Sequence, residues 1–504
     1  MRCFIRVCCL FVVGACLAQE GQPFTAQKEF YIHGNATVIG NNSLSKDAKA
    51  PFDKADKVND EYKMVYVDID DDLSTHSSSS ARLLIDESVK IKYAALYWAG
   101  TYNGAQSVKK YKDKRTFYRI KQERQHDPRL IKFALPGQDY TSIEGNLIFD
   151  AVTARNRMIK SYRPYVCMAD VTSYLQGLSK KSGSYTVANV SATQGYILGG
   201  SSAGWMLYIV YENEQDPLRY ITSYHGLEFV NKQPVDILFS NFKTPEIGAV
   251  NSSVTLAVLE GDNTLKRDKV GVYDPEKDTF VLLDNKVRAS DNFFNSSITI
   301  DDQIFDQRQP NSSNTLGFDI AQLAIPNPDN TIISNQANKL TLRLASRSDR
   351  FFVFFTAFQT NLSQDFNPQI RETKEVIVAP PTPSTPVPEE VLSQPALEQV
   401  VDSPSTEATE IAKIQNSTAV SIPTLEKGYY IVTNVFSSES NAKRWAAKLR
   451  RMSYRPEVVQ RPDNGLYYVY IDKGLNVPTL YEKLAKARKN PALTTSWMLK
   501  INMD

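Results

Sequence analysis

Lys427-Gly-Tyr-Tyr-Ile-Val-Thr-Asn-Val-Phe436 opens the stretch that decides how this 504-residue chain is organised. Tyr429 to Val435 is β-branched and aromatic, the composition of a pleated strand. Ser438 and Glu439 stand near a helix start. Ala442, Trp445, Ala446 and Leu449 then recur at i, i+3, i+4 and i+7, giving that helix one apolar face. Arg455 to Gln460 and Leu466 to Asp472 flank Arg461-Pro-Asp-Asn-Gly465, whose Asn-Gly pair supplies the positive-φ positions of a tight hairpin. Pro478 suits the first turn of a second helix carrying Leu480, Tyr481, Leu484 and Ala487, and Thr495 to Ile501 reads as a closing strand. The order β-α-β-β-α-β predicts a small α+β, ferredoxin-like domain over residues 427–504.

Gly428-Tyr-Tyr-Ile-Val-Thr-Asn-Val-Phe436, Ser440-Asn-Ala442 and Gly465-Leu-Tyr-Tyr-Val-Tyr470 stand where SPOR (sporulation-related repeat) domains carry their first strand, first helix and third strand. The module resembles that family. The resemblance implies an envelope domain that binds peptidoglycan glycan strands lacking stem peptides. Val432 and Asn434 occupy positions that are usually Gln and Gly in the family.

Alternation sends Val469 and Ile471 toward the helices, so Tyr468 and Tyr470 should point outward beside Tyr430, Val432 and Asn434 of the neighbouring strand. With Arg455 at the start of the second strand, these six form the candidate glycan-binding set. Aromatic faces stack on pyranose rings while their hydroxyls bond the sugar's edges. The module holds 14 Lys and Arg against 6 Asp and Glu, whereas residues 1–426 hold 44 against 50, an asymmetry that favours an anionic partner. The alternative is a solvated basic surface on a structural domain. Gly465-Leu-Tyr-Tyr-Val-Tyr470 also resembles the third-strand motif of RNA-recognition domains.

The start of the chain argues against nucleic acid as partner. Met1-Arg-Cys-Phe-Ile-Arg6 is positive, Val7 to Leu17 is apolar, and Cys16-Leu-Ala18 offers a small-x-small cleavage site, so residues 1–18 read as an export signal. Val13-Gly-Ala-Cys16 also resembles a lipobox, which would leave Cys16 acylated. Either route leads to the periplasm or cell envelope, with outer-membrane association open. Four of the five cysteines lie in the leader, and Cys167 sits in the apolar Tyr165-Val-Cys-Met-Ala169 run, where a packed thiol is expected.

Residues 19–378 hold enough apolar and aromatic content for one or two subdomains, and residues 379–426 read as a flexible linker headed by Pro380-Pro-Thr-Pro-Ser-Thr-Pro-Val-Pro388. Such a linker spans roughly 35–40 Å as a coil. Met64 to Ile69, Ile91 to Ala99, Ser184 to Val190, Gly204 to Tyr211, Ser253 to Leu259, Thr279 to Leu283, Lys339 to Ala345 and Phe351 to Phe358 read as strands, with Arg347-Ser-Asp-Arg350 as a hairpin turn. Helical periodicity in the body is scarce outside Ala169 to Leu178. An all-β sandwich or jelly roll, single or doubled, follows for the body.

Tyr66-Val-Asp-Ile-Asp-Asp-Asp-Leu-Ser-Thr75, Lys92-Tyr-Ala-Ala-Leu-Tyr-Trp-Ala-Gly100, Ala169-Asp-Val-Thr172 and Ala203-Gly-Trp-Met-Leu-Tyr-Ile-Val-Tyr-Glu212 resemble the β domain of Bacteroidota gliding-motility and cell-surface adhesins and their associated envelope proteins. That resemblance implies an outer-membrane or adhesin complex as partner.

Catalytic patterns are weak. Gly200-Ser-Ser-Ala-Gly204 fits G-x-S-x-G, but a strand-like run rather than a helix follows Ser202, and only His225 lies downstream as a base. His33, His76, His126 and His225 lack metal-ligand spacing. Asp68, Asp70, Asp71 and Asp72 offer hard oxygens for Ca²⁺ without the glycine and distal glutamate of an EF-hand; a solvated acidic turn is the alternative. The reading is therefore a non-enzymatic envelope tether without a cofactor. A module that docks protein instead of glycan is the alternative, and a cell-wall hydrolase with a targeting domain is a third.

Overall fold

Phe351-Phe-Val-Phe-Phe-Thr-Ala-Phe358 is apolar at nearly every position, the pattern of a strand covered on both sides. In the computed structural model it lies inside an 11-stranded sheet. The structure describes residues 21–366 and 411–502, apart from 113, 155–156, 348–349, 412–413, 416–418, 437–438, 463–464, 491–492 and 494–495. The expected leader, most of the expected linker and the centre of the Arg347–Arg350 turn lie outside the described residues.

The sheet runs Asn146–Asp150, Pro164–Asp170, Lys90–Thr101, Ala203–Glu212, Gln22–Asn42, Leu218–Val230, Phe351–Asn361, Ser252–Leu259, Phe318–Ala324, Ile298–Ile300, Gln303–Ile304. A five-stranded sheet packs on one part of it through Leu83, Ile131, Phe133, Tyr185 and Val187 against Trp98, Trp205, Leu207 and Ile209. A four-stranded sheet packs on another part through Val235, Ile237, Val270, Leu342 and Leu344 against Tyr220, Tyr224, Val254 and Phe358. The body is thus mostly β, two sandwiches that share one continuous sheet. Its opposite face curls into a third core, where Tyr97 and Phe355 meet at 5.0 Å although three strands separate theirs.

Gln22–Asn42 is the seam between the sandwiches. Its first half pairs with Leu218–Val230 and its second half with Ala203–Glu212. Neither it nor Leu218–Val230 stands out in the sequence, because Gly34, Asn35, Gly40, Asn41 and Asn42 interrupt the first and polar residues the second. Asn41 is tolerated inside because its amide donates to the carbonyls of Ser80, Gln309 and Pro310. Two local expectations shift. Ala169 belongs to the strand Pro164–Asp170, so the helix is only Thr172–Gln176, and Met64 to Ile69 keeps strand geometry only over Val65–Tyr66.

The C-terminal region is a small α+β domain whose sheet runs Glu457–Gln460, Tyr467–Gly474, Gly428–Phe436, Trp497–Ile501, all antiparallel. Helices Glu439–Arg451 and Val477–Arg488 cover one face. Ala442, Trp445, Ala446 and Leu449 are all buried, as their spacing requires. Trp445 donates its indole N–H to Thr433 Oγ1 at 2.9 Å, which satisfies the one polar atom of a buried ring. Asn476 caps the second helix by accepting from the Thr479 amide at 3.0 Å, with Pro478 in its first turn.

Candidate functional site

The side of the module's sheet opposite the helices is lined by residues of all four strands. Tyr430, Val432, Tyr468 and Tyr470 share it, while Val469 and Phe436 pack beneath the helices. The side assigned by alternation is the side observed. Tyr430 and Tyr470 meet edge to face, with ring centres 4.9 Å apart and planes at 87°. The Tyr470 hydroxyl donates to Glu457 and the Tyr430 hydroxyl to the Glu426 carbonyl at 2.8 Å; burial and the Glu457 carboxylate push the Tyr470 hydroxyl's pKa up.

Exposure is where the structure corrects the expectation. Tyr430 and Val432 are 1% exposed, Tyr470 5% and Tyr468 9%. The cover is a short strap, Val420-Ser-Ile-Pro-Thr-Leu425, which the sequence reading places in the linker. The Val420 amide donates to the Lys500 carbonyl at 2.8 Å and the Val420 carbonyl accepts from the Asn502 amide at 2.9 Å, so the strap begins as a one-residue parallel bridge to Ile501. It then crosses the tyrosine face with Ile422 fully buried. Asn502 clamps the crossing. Its side chain accepts from the Ile422 amide at 2.8 Å and donates to the carbonyls of Ile422 and Leu425 at 2.8 and 2.7 Å. Its φ of +48° is one that asparagine tolerates better than most residues.

Asn434 lies at a bulge in the first strand, with its Oδ1 buried and unbonded, and Arg455 is exposed ahead of the second strand. The geometry therefore brings Tyr430, Val432, Tyr468 and Tyr470 together and leaves the other two at the margin. What the sequence reading missed is the strap, whose signal is the apolar Val420, Ile422 and Leu425 at the end of a polar run.

The module also touches the body. Arg444 on its first helix donates to both oxygens of Glu228, at 2.8 and 3.2 Å, and Lys448 reaches the Gln22 side chain at 3.2 Å. Glu228 is fully buried; burial raises its pKa and Arg444 opposes the rise. Burial raises the pKa of Glu29 in the body, and Arg461, beside the tyrosine face, is among the groups that oppose the rise.

The other candidates occupy different surroundings. Ser202 is buried and donates to Glu260 at 2.8 Å, whereas His225 bonds the Tyr97 hydroxyl at 3.1 Å, so the pair is not assembled as nucleophile and base. Asp68 accepts from Ser78, Asp70 from Thr75 and Tyr140, and Asp72 from Ser74, while Asp71 pairs with Lys49; the run is a turn braced by its own donors. Among the described residues no group of three or more His, Cys, Asp or Glu converges on one point as a metal site would. Cys167 is buried, and burial pushes its thiol pKa up. No helix among the described residues is long and apolar enough to cross a membrane.

The SPOR domain family matches residues 425–473, from the end of the strap through the third strand. No curated protein matches the chain. Among solved structures, the major capsid protein P2 of bacteriophage PM2 is similar over 66% of this chain and 100% of its own, at 9% identity and a TM-score of 0.16. PNGF-II is similar over 66% of each chain, at 9% identity and a TM-score of 0.20. Likeness at these scores supports no conclusion about fold or function. The module is thus a SPOR domain, a binding module rather than a catalytic one, and it supports peptidoglycan binding in a cell-envelope protein.

Proposed function

We propose that this chain is a non-enzymatic envelope tether whose SPOR module grips glycan strands of peptidoglycan while the β body holds an outer-membrane or adhesin-type complex. The observation that carries the first half is the family match over residues 425–473, on a module whose sheet face opposite the helices gathers Tyr430, Tyr468 and Tyr470 beneath the strap. The second half rests on the resemblance of the body's strand segments to gliding-motility and cell-surface adhesin domains. With residues 1–18 read as an export signal, the site of action is the periplasm or the outer membrane's inner side.

The strap adds a condition. Glycan can reach the tyrosines only after Ile422 leaves the face, so the described arrangement is the closed form of the module. Lifting Ile422 exposes apolar area that sugar rings would then cover. The test is co-sedimentation of the full chain with amidase-stripped sacculi. Ile422→Asp, which disfavours strap burial, should strengthen binding, and the same variant carrying Tyr468→Ala should lose the gain. No sedimentation by either the parent chain or Ile422→Asp would sink the glycan reading.

A second reading is favoured by one contact, the Arg444–Glu228 pair, with which the module already docks on protein. In that reading the module, with Val432 and Asn434 in place of the family's usual residues, is a protein-docking domain. Binding to a purified envelope protein that survives Tyr468→Ala and Tyr470→Ala would favour it.

A further inference from the structure

Gln194, Gln106 and Gln122 lie opposite one another on three neighbouring strands, where the short strand Gln194–Gly195 pairs with the hairpin of Gln106–Lys112 and Arg115–Gln122. Cross-strand partners project to the same face, so the three side chains form a row of amides. The row borders a cleft of about 580 Å³ in the body, within the size range of small-molecule sites. Gln125 adds a fourth amide to the lining. The side chains of Gln106, Gln122 and Gln125 hydrogen-bond no other described residue, and Gln194 uses only its Oε1, which accepts from the Tyr66 amide at 3.4 Å. Donors and acceptors are thus gathered round one concavity and left unspent by the protein itself.

The cleft also has an aromatic wall. Tyr66 and His76 have ring centres 5.0 Å apart, and His126 lies flat on His76 at 4.3 Å with planes 9° apart. His76 is half-buried and His126 exposed, so the stack ends in a flat ring open to solvent. Burial and the neighbouring imidazole push the His76 pKa down to about 4, which keeps that ring uncharged at neutral pH.

Two ligand classes do not fit this lining. Parallel imidazoles aim their in-plane lone pairs side by side rather than at one point, and no third His, Cys, Asp or Glu joins them among the described residues, so the pair is not a metal centre. No Lys or Arg lines the cleft and Asp68 does, which disfavours phosphates and carboxylates. A neutral ligand rich in hydroxyls fits both walls. Side-chain amides donate and accept along a sugar's edge, and an aromatic ring covers the C–H face of a pyranose.

We propose that this cleft is a saccharide site of the body, taking one or two neutral pyranose rings that hydrogen-bond the four glutamines and stack on His126. The site belongs to the body and does not rest on the reading of the module as a glycan binder.

The test is saturation-transfer NMR of the full chain with cellobiose, maltose, N,N′-diacetylchitobiose, digalacturonate and uridine. At least one of the three neutral disaccharides should bind, with digalacturonate tenfold weaker or more. Preference for N,N′-diacetylchitobiose would assign an N-acetylated glycan to the site, and preference for cellobiose or maltose an unacetylated polysaccharide. Gln122→Ala with Gln125→Ala should weaken that binding roughly tenfold or more, through the loss of two hydrogen bonds, and His126→Ala should weaken it through the loss of the stacking face. All three side chains are exposed, so these variants should keep the parent's thermal midpoint. Absence of binding by every neutral disaccharide would overturn the site, as would undiminished binding by both variants. A loss caused by Tyr468→Ala and not by the body variants would place the sugar on the module instead. Uridine bound more tightly than any disaccharide would make His126 a platform for bases and overturn the saccharide assignment.

Discussion

Arg444 of the module holds the buried Glu228 of the body between two guanidinium nitrogens, at 2.8 and 3.2 Å. Glu228 sits where the Leu218–Val230 strand slips register against Phe351–Asn361, so a backbone irregularity of the body presents the carboxylate to the module. Removing one partner leaves the other charge without compensation, which is worse than removing both.

Arg444→Ala should destabilise the docked chain by roughly 2–3 kcal/mol in urea unfolding. Arg444→Met with Glu228→Gln should recover much of that loss. Burial already raises the Glu228 pKa, and loss of Arg444 raises it further. The penalty should therefore shrink as pH falls and the carboxyl takes a proton. A penalty that stays constant between neutral and acid pH would contradict this account.

Asn502→Ala should loosen the strap without unfolding the module. Three side-chain hydrogen bonds are lost, each worth about 1 kcal/mol net. Amide exchange at Val420 and Ile422 should accelerate by about two orders of magnitude, while Leu449 and Leu484, in the helices, keep their protection. Equal acceleration everywhere would mean that Asn502 supports the whole domain.

Glu260 should make the body less stable as pH rises. Burial lifts its pKa to about 8, against hydrogen bonds from Ser202 and Asn59 that lower it, and Asp262 lies nearby with a pKa raised to about 7. The folded chain then binds more protons than the unfolded chain between about pH 4.5 and 8. Stability is fully present below that window and declines across it, by an amount on the order of 3–5 kcal/mol for Glu260 alone. Glu260→Gln should flatten the midpoint of thermal unfolding across the window; an unchanged slope would rule Glu260 out as its source.

Tyr470→Phe should keep the edge-to-face contact with Tyr430 and lose only the bond to Glu457, a change of about 1 kcal/mol. Tyr470→Ala should cost about 3–5 kcal/mol because it opens a cavity beneath Ile422. Thermal unfolding of the two variants gives the comparison, and equal losses would mean that the ring does not pack as described.

Residue order by itself determined the module. Periodicity named both helices, the Arg461–Gly465 segment named the hairpin, and alternation sorted Val469 from Tyr468 and Tyr470, because each of these features is local and repeats every two or 3.6 residues. The same rules found the apolar strands of the body. Only tertiary structure decided that Gln22–Asn42 joins two sandwiches, since its backbone pairs along its length with strands more than a hundred residues away. It also decided that the tyrosine face is covered. Three apolar residues at the end of a polar run have no period to read; whether Ile422 is solvated or buried depends on a surface brought to it by the rest of the fold.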